Sequence, residues 1–195
     1  MGTYSPTPFL SDMELKKVGD AILNPWLRGC AEERIDFRGI LYPGIMLTKS
    51  GPKVLEFNAR FGDPETQVYL TRLENDFVEL LDASVNGTLD KIELKWKSAA
   101  SVCVVMASGG YPGSYSKGKV ISGLDAANAL PHLKIFHAGT AMVGGQTVTI
   151  GGRVLGVTAL GKDLRSAQAA AYAAVEKIHF AGAQFRRDIA AKAFN

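Results

Sequence analysis

Apolar and polar residues alternate from Pro52 to Phe61, in PKVLEFNARF. Successive side chains of an extended strand point to opposite faces. The alternation therefore predicts a strand with Leu55, Phe57, Ala59 and Phe61 on a face that enters a core, and Glu56, Asn58 and Arg60 together on the other. Upstream, FRGILYPGIMLT at 37–48 predicts a second strand, and KSGP at 49–52 a turn, so the two should pair as a hairpin. Residues 1–9, with two prolines and a glycine, read as loop. A helix capped by Ser11 or Asp12 carries Leu15, Val18, Ile22 and Leu23 at helical spacing and runs toward Pro25. Asp63-Pro64 offers another helix start, and a further helix runs from Asp76 to Val85 with Phe77, Leu80, Leu81 and Val85 on one face, ending at Asn86-Gly87.

From Asp90 to Ser98 the composition turns charged, and we place a domain boundary there. The remainder reads as β-rich: SVCVVMAS, KVIS, LKIFHAG, a hairpin TAMVGGQTVTI turning at Gly144-Gly145, and RVLGVTALG. An alanine-rich helix over Leu164–Ile178 closes the pattern, with Leu164, Ala167, Ala171, Val175 and Ile178 as its packing stripe.

Twenty-two Lys and Arg against 19 Asp and Glu give a net charge of only +3, and the basic residues are scattered, so charge does not point to nucleic acid. Cys30 and Cys103 lack the paired spacing of a zinc site, and Cys103 sits in an apolar run as a small buried hydrophobe. No apolar stretch is long enough to cross a bilayer, and the N-terminal residues lack the basic and hydrophobic regions of a secretory leader. These features lead us to expect a cytoplasmic protein without membrane partners. His132, His137 and His179 follow no metal-binding spacing.

Glu56, Asn58 and Arg60 combine a carboxylate, an amide oxygen and a guanidinium. The first two are hard donors of the kind magnesium accepts alongside substrate phosphates, and the third is a planar phosphate fork. The same three residues would equally suit a solvated hairpin face. Asp63 suits a helix cap or a substrate contact. Arg153, at the tight turn GGR, suits an ion pair or a substrate contact. The loop SGGYPGSYSKGK at 108–119 suits a turn or a phosphate cradle, without the order of a P-loop.

LEFNARFGDPETQ resembles the signature of the glycinamide ribonucleotide synthetases, or phosphoribosylamine–glycine ligases, of the ATP-grasp superfamily. MGTYSP, GILYPGIMLTKSGPKVLEFN, VVMASGGYPGSYSKG, FHAGTA, GGRVLGVTALG and FRRDIA resemble that family in the family's order. The resemblance implies an α+β fold: the C-terminal part of an ATP-grasp domain over residues 1–98, then a small β-rich C-terminal domain with a packing helix over 99–195. It also implies an enzyme in which ATP phosphorylates glycine and phosphoribosylamine attacks the acyl phosphate. Glu56 and Asn58 would be ligands of magnesium or manganese, Arg60 would face the ribose-phosphate substrate, and Asp63 and Arg153 would support the site.

The chain resembles less than half of the family enzyme, so the missing N-terminal part becomes an expected partner, and the chain alone is expected to be inactive. Two departures stand out. Met46 lies on the strand facing Glu56 where many ATP-grasp enzymes carry another acid, and Ala190 ends FRRDIA where the family usually has glycine. A non-catalytic nucleotide-binding or structural module of the same fold is the alternative from another class.

Overall fold

The computed structural model describes residues 1–194. In chain order the elements are β1 (Gly2–Ser5), α1 (Asp12–Glu32), β2 (Tyr42–Thr48), β3 (Gly51–Asn58), α2 (Glu65–Arg72), α3 (Phe77–Asn86), β4 (Ala100–Ala107), α4 (Leu124–Asn128), β5 (Leu133–His137), β6 (Thr140–Val143), β7 (Gln146–Thr149), β8 (Arg153–Gly161) and α5 (Leu164–Val175). They form two compact units, each discontinuous in sequence. The first holds Met1–Pro6, Asp63–Leu73 and the chain from Trp96 onward; the second holds Thr7–Gly62 and Glu74–Lys95.

The first unit is built on an antiparallel sheet of order β1-β4-β8-β5. All eight residues of β4 are buried. Alternation explains how: Val102, Val104 and Met106 enter a core shared with Ala167, Ala171, Ala174 and Val175 of α5, while on the opposite face the Ser101 hydroxyl hydrogen-bonds Thr71 of α2 at 2.8 Å. A strand covered on both sides reads as an unbroken apolar run, and each fully buried Val or Leu contributes roughly 1.5–3 kcal/mol. Helix α5 starts at Asp163, whose carboxylate accepts from the Ser166 amide. That bond holds the Asp163 carboxyl below the usual range.

Cys103 is fully buried, and burial pushes its thiol up to about 12. A thiol reagent at pH 8 is therefore expected to modify half-buried Cys30 and to spare Cys103 until the chain unfolds. Peptide mapping by mass spectrometry checks this, and equal labelling of both would contradict the packing.

Several boundaries differ from the sequence pattern. Residues 2–5 are not loop; they form β1, whose partners Ser101 to Val104 lie about a hundred residues away, beyond any local signal. Helix α1 continues through Pro25 to Glu32, held at its start by a Ser11–Glu14 capping box. Strand β2 begins only at Tyr42, β3 ends at Asn58, and α5 ends at Val175. Residues 119–122 make isolated bridges to Val148 and His179 in place of a strand. The Gly144-Gly145 turn joins β6 to β7 with both residues at positive φ, as a two-residue hairpin of this kind requires. Ala190 has φ 65°, a left-handed conformation that glycine adopts without strain, so the glycine that the family resemblance leads one to expect there would fit.

The second unit contrasts with the first. Among its described residues the only buried apolar side chains are Val18 and Ala83, while Met13, Leu23 and Leu27 of α1 stand exposed. Helix α3 has the predicted limits, with Asp76 capping the Val78 and Glu79 amides. Its apolar stripe is only partly covered: Phe77 packs on Phe61, whereas Val85 is exposed.

Candidate functional site

The β2–β3 ribbon carries the first set of candidate residues. Its register places Tyr42 opposite Asn58 and Gly44 opposite Glu56, and Leu55 is an extra residue between the Val54–Ile45 and Glu56–Gly44 pairs. Such a bulge bends a strand and re-aims its side chains. A Cβ at Gly44 would sit 3.4 Å from Glu56 Cγ, at ordinary contact distance, so Glu56 lies directly across the ribbon from this residue. Asn58 Nδ2 donates to Glu56 Oε1 at 3.0 Å, so these two side chains do meet on one face.

Arg60 lies beyond the end of the strand. Its Nη1 donates to the Phe61 carbonyl at 3.0 Å, so strand alternation carries Glu56 and Asn58 but stops short of Arg60. The expected core face is covered only at its end, where Phe61 packs on Phe77; Leu55 is 66% exposed and Phe57 46%. Met46 pairs with Lys53, and the residue opposite Glu56 is Gly44. The bulge shifts the register, so the absent second acid cannot be assigned to Met46.

The second set lies in the first compact unit. Asp63 does not cap α2: the N-cap position falls on Pro64, with no side-chain bond to the helix amides. The Asp63 carboxylate accepts instead from Arg153 Nη1 at 3.2 Å and from Gln67 Nε2 at 3.2 Å, and its carbonyl accepts from Arg153 Nη1 at 2.8 Å. Arg153 is thus an ion-pair partner, and its partner is ninety residues away in sequence. Its Nε donates to the Tyr111 hydroxyl at 3.0 Å. The Arg153 guanidinium is held above its ordinary value, chiefly by that hydrogen bond and then by Asp63, against the opposing effect of partial burial.

The loop at 108–119 is tied down. Ser108 Oγ donates to the Gly151 carbonyl at 2.8 Å, and Gln184 Nε2 donates to the carbonyls of Ser108 and Tyr111. Gly152 approaches closely, since a Cβ there would lie 2.2 Å from the Tyr111 ring. Tyr111, Gly152 and Gln67 were not named individually from sequence, although the 108–119 loop, the GGR turn and the LEFNARFGDPETQ block contain them. Gln67 Oε1 is buried without a partner among the described residues. His137 hydrogen-bonds Thr140 at 2.9 Å and takes no part in either set.

Among the described residues no group of three His, Cys, Asp or Glu is placed to hold a metal ion. Glu56 and Asn58 supply one carboxylate and one amide, which is a partial set. Magnesium completes such a set with phosphate oxygens and water, so the residues fit an ion that arrives with a nucleotide.

Residues 1–66 match the family described as phosphoribosylglycinamide synthetase, ATP-grasp (A) domain, and residues 101–192 match phosphoribosylglycinamide synthetase, C domain. The chain is 50% identical over 194 residues to the phosphoribosylamine–glycine ligase of Pseudomonas aeruginosa, covering 99% of this chain and 45% of that protein. It is 48% identical to the ligase of Rhodopirellula baltica, covering 99% and 44%. The crystal structure of the Thermotoga maritima ligase superposes with a TM-score of 0.84 at 36% identity, over 97% of this chain and 46% of that one. The biotin carboxylase subunit of pyruvate carboxylase shares the fold, with a TM-score of 0.64 at 13% identity. Two family domains in succession, together with identity near one half along almost the whole chain, place this protein in the phosphoribosylamine–glycine ligase family, less than half the length of whose curated members it spans.

Proposed function

We propose that this chain supplies the metal- and phosphate-facing part of an ATP-dependent ligase that joins glycine to 5-phosphoribosylamine, giving glycinamide ribonucleotide, ADP and phosphate in purine biosynthesis. The observation that carries this reading is the Glu56–Asn58 pair on a bulged ribbon in a chain that aligns almost end to end with such ligases.

In this reading the γ-phosphoryl group of ATP passes to the glycine carboxylate and ADP leaves. The amine nitrogen of phosphoribosylamine then attacks the glycyl carbonyl. A C–N bond forms, the C–O bond to phosphate breaks with its electron pair, and the nitrogen releases a proton. Glu56 and Asn58 would hold a magnesium or manganese ion, whose charge would offset that on the transferring phosphoryl group. Arg60 would hold the phosphate of the ribosyl substrate through its fork, and Arg153, fixed by Asp63, would support the substrate side. Residues 1–98 correspond to the end of an ATP-grasp domain and 99–195 to the C-terminal domain. No described helix is long and apolar enough to cross a membrane, and purine biosynthesis suits the cytoplasm.

The remaining partner is the N-terminal part of the enzyme. Its docking would cover the apolar side chains that the second unit leaves exposed, such as Met13, Leu27, Leu55 and Phe57. The isolated chain is expected to show no ATP-dependent ligation, and mixing it with the N-terminal part of the Pseudomonas aeruginosa relative is expected to restore turnover. Ligation by the 195 residues alone would refute the need for a second part. Failure of every such mixture, together with magnesium–ADP binding indifferent to Glu56→Ala, would favour a non-catalytic module.

A further inference from the structure

Within the second set of candidate residues, Arg153 makes three hydrogen bonds through two of its nitrogens. It leaves β8 at its first residue, beside the tight turn Gly151-Gly152. Nε is bound to Tyr111, and Nη1 is bound twice to Asp63. Among the described residues Nη2 has no partner, and the side chain is one-third exposed. A guanidinium fixed on two of its nitrogens and open on the third is preorganised to donate to an anionic oxygen, because its rotamer entropy is already lost before a ligand arrives.

Tyr111 sets that arrangement from the other side. Its ring lies against Gly152, where any Cβ would collide with it. Its amide donates to the Ser108 carbonyl at 3.0 Å, and its carbonyl accepts from Gln184 Nε2 at 2.8 Å. The ring is therefore held at both its backbone and its face, and its hydroxyl has one place to be.

We propose that Tyr111 is a positioning residue, which through its hydroxyl fixes the Arg153 guanidinium so that Nη2 meets an anionic oxygen, carboxylate or phosphate, of the ligase substrates. The substrate half of this statement rests on the ligase reading above; the Tyr111–Arg153 half stands without it.

Two arms test the two halves. In the isolated chain, the Arg153 Nε–H resonance in nitrogen-15 spectra is expected to exchange with water about tenfold more slowly than that of Arg60, whose Nε has no partner among the described residues, and Tyr111→Phe is expected to erase the difference. The comparison with Arg60 needs no variant, so it survives a Tyr111→Phe chain that fails to fold. Equal exchange for the two arginines, or an unchanged Arg153 signal in folded Tyr111→Phe, would overturn the proposal.

In the two-part ligase, Tyr111→Phe is expected to raise KM for one substrate about tenfold with kcat within threefold. A rise for glycine assigns the oxygen to a carboxylate, and a rise for phosphoribosylamine assigns it to a phosphate. In an Arg153→Lys background the same change should add nothing, since residues acting as one unit are not additive. Additive losses, or no shift in either KM, would refute the substrate role. Absence of turnover with all native residues would instead refute the ligase reading, leaving the exchange arm to decide the link.

Discussion

Replacing Glu56 by Ala in the two-part ligase is expected to lower kcat at least about 100-fold, roughly 2.7 kcal/mol of transition-state stabilisation. The ribbon offers one carboxylate, and among the described residues its polar partner is the Asn58 amide at 3.0 Å. Removing it leaves an ion with an amide and the nucleotide's own oxygens. Asn58→Ala removes a neutral donor and is expected to cost less, about tenfold. Both losses should shrink as magnesium or manganese is raised, because a weakened site fills by mass action. Steady-state rates across a magnesium titration give the answer. A Glu56→Ala enzyme within twofold of native at every magnesium concentration would remove Glu56 from the metal and leave it as a solvated hairpin residue.

The largest effect on folding is expected at Leu155. It is fully buried at the middle of the sheet, opposite Met106 on β4 and His137 on β5. Leu155→Ala removes the transfer energy of the side chain and leaves a cavity, about 2–5 kcal/mol in all. At about 2–4 °C per kcal/mol for a domain of this order, the thermal midpoint of the first unit should fall by about 4–20 °C. Leu55→Ala serves as the control. Leu55 lies 66% exposed on the ribbon, in the second unit, and its replacement should leave the first unit's midpoint unchanged and alter stability by less than about 0.5 kcal/mol in the isolated chain. Hydrogen exchange of the β4 and β8 amides reads the first unit without interference from the second. A Leu155→Ala chain that melts with the native one would show that the sheet is not where its stability lies.

These two leucines show what could be read from one dimension and what could not. SVCVVMA and RVLGVTALG read as strands because their apolar runs are long and bounded by glycine and charge, and both are strands in the core. The stripe Ala167, Ala171 and Val175 is likewise buried as helical spacing demands. Leu55, Phe57 and Ala59 have the same kind of alternation, yet they lie uncovered. Periodicity says which face of a strand is apolar; it does not say whether anything packs there.

The candidate site divides the same way. Glu56 and Asn58 are two residues apart on a strand, so their meeting follows from the pleat alone. Arg60 has the same spacing, but the strand ends first. Asp63 read as a cap because it precedes proline near a helix start; a guanidinium ninety residues downstream takes its carboxylate instead, and the cap position falls on Pro64.

The sequence by itself determined the strands and helices with strong periodicity, the end of α3 at Asn86-Gly87, the turn at Gly144-Gly145, the family, and the pairing of Glu56 with Asn58. Each depends on residues within a few positions of one another or on a run of matching blocks. The tertiary structure decided that Gly2–Ser5 joins the sheet, that the ribbon is bulged at Leu55, and that Tyr111, Arg153, Asp63 and Gln67 form one network. The sheet pairing of β1 and the bonds from Arg153 to Asp63 and Tyr111 join segments separated by tens of residues, and backbone pairing and charge complementarity at such separations leave no periodic trace in the chain.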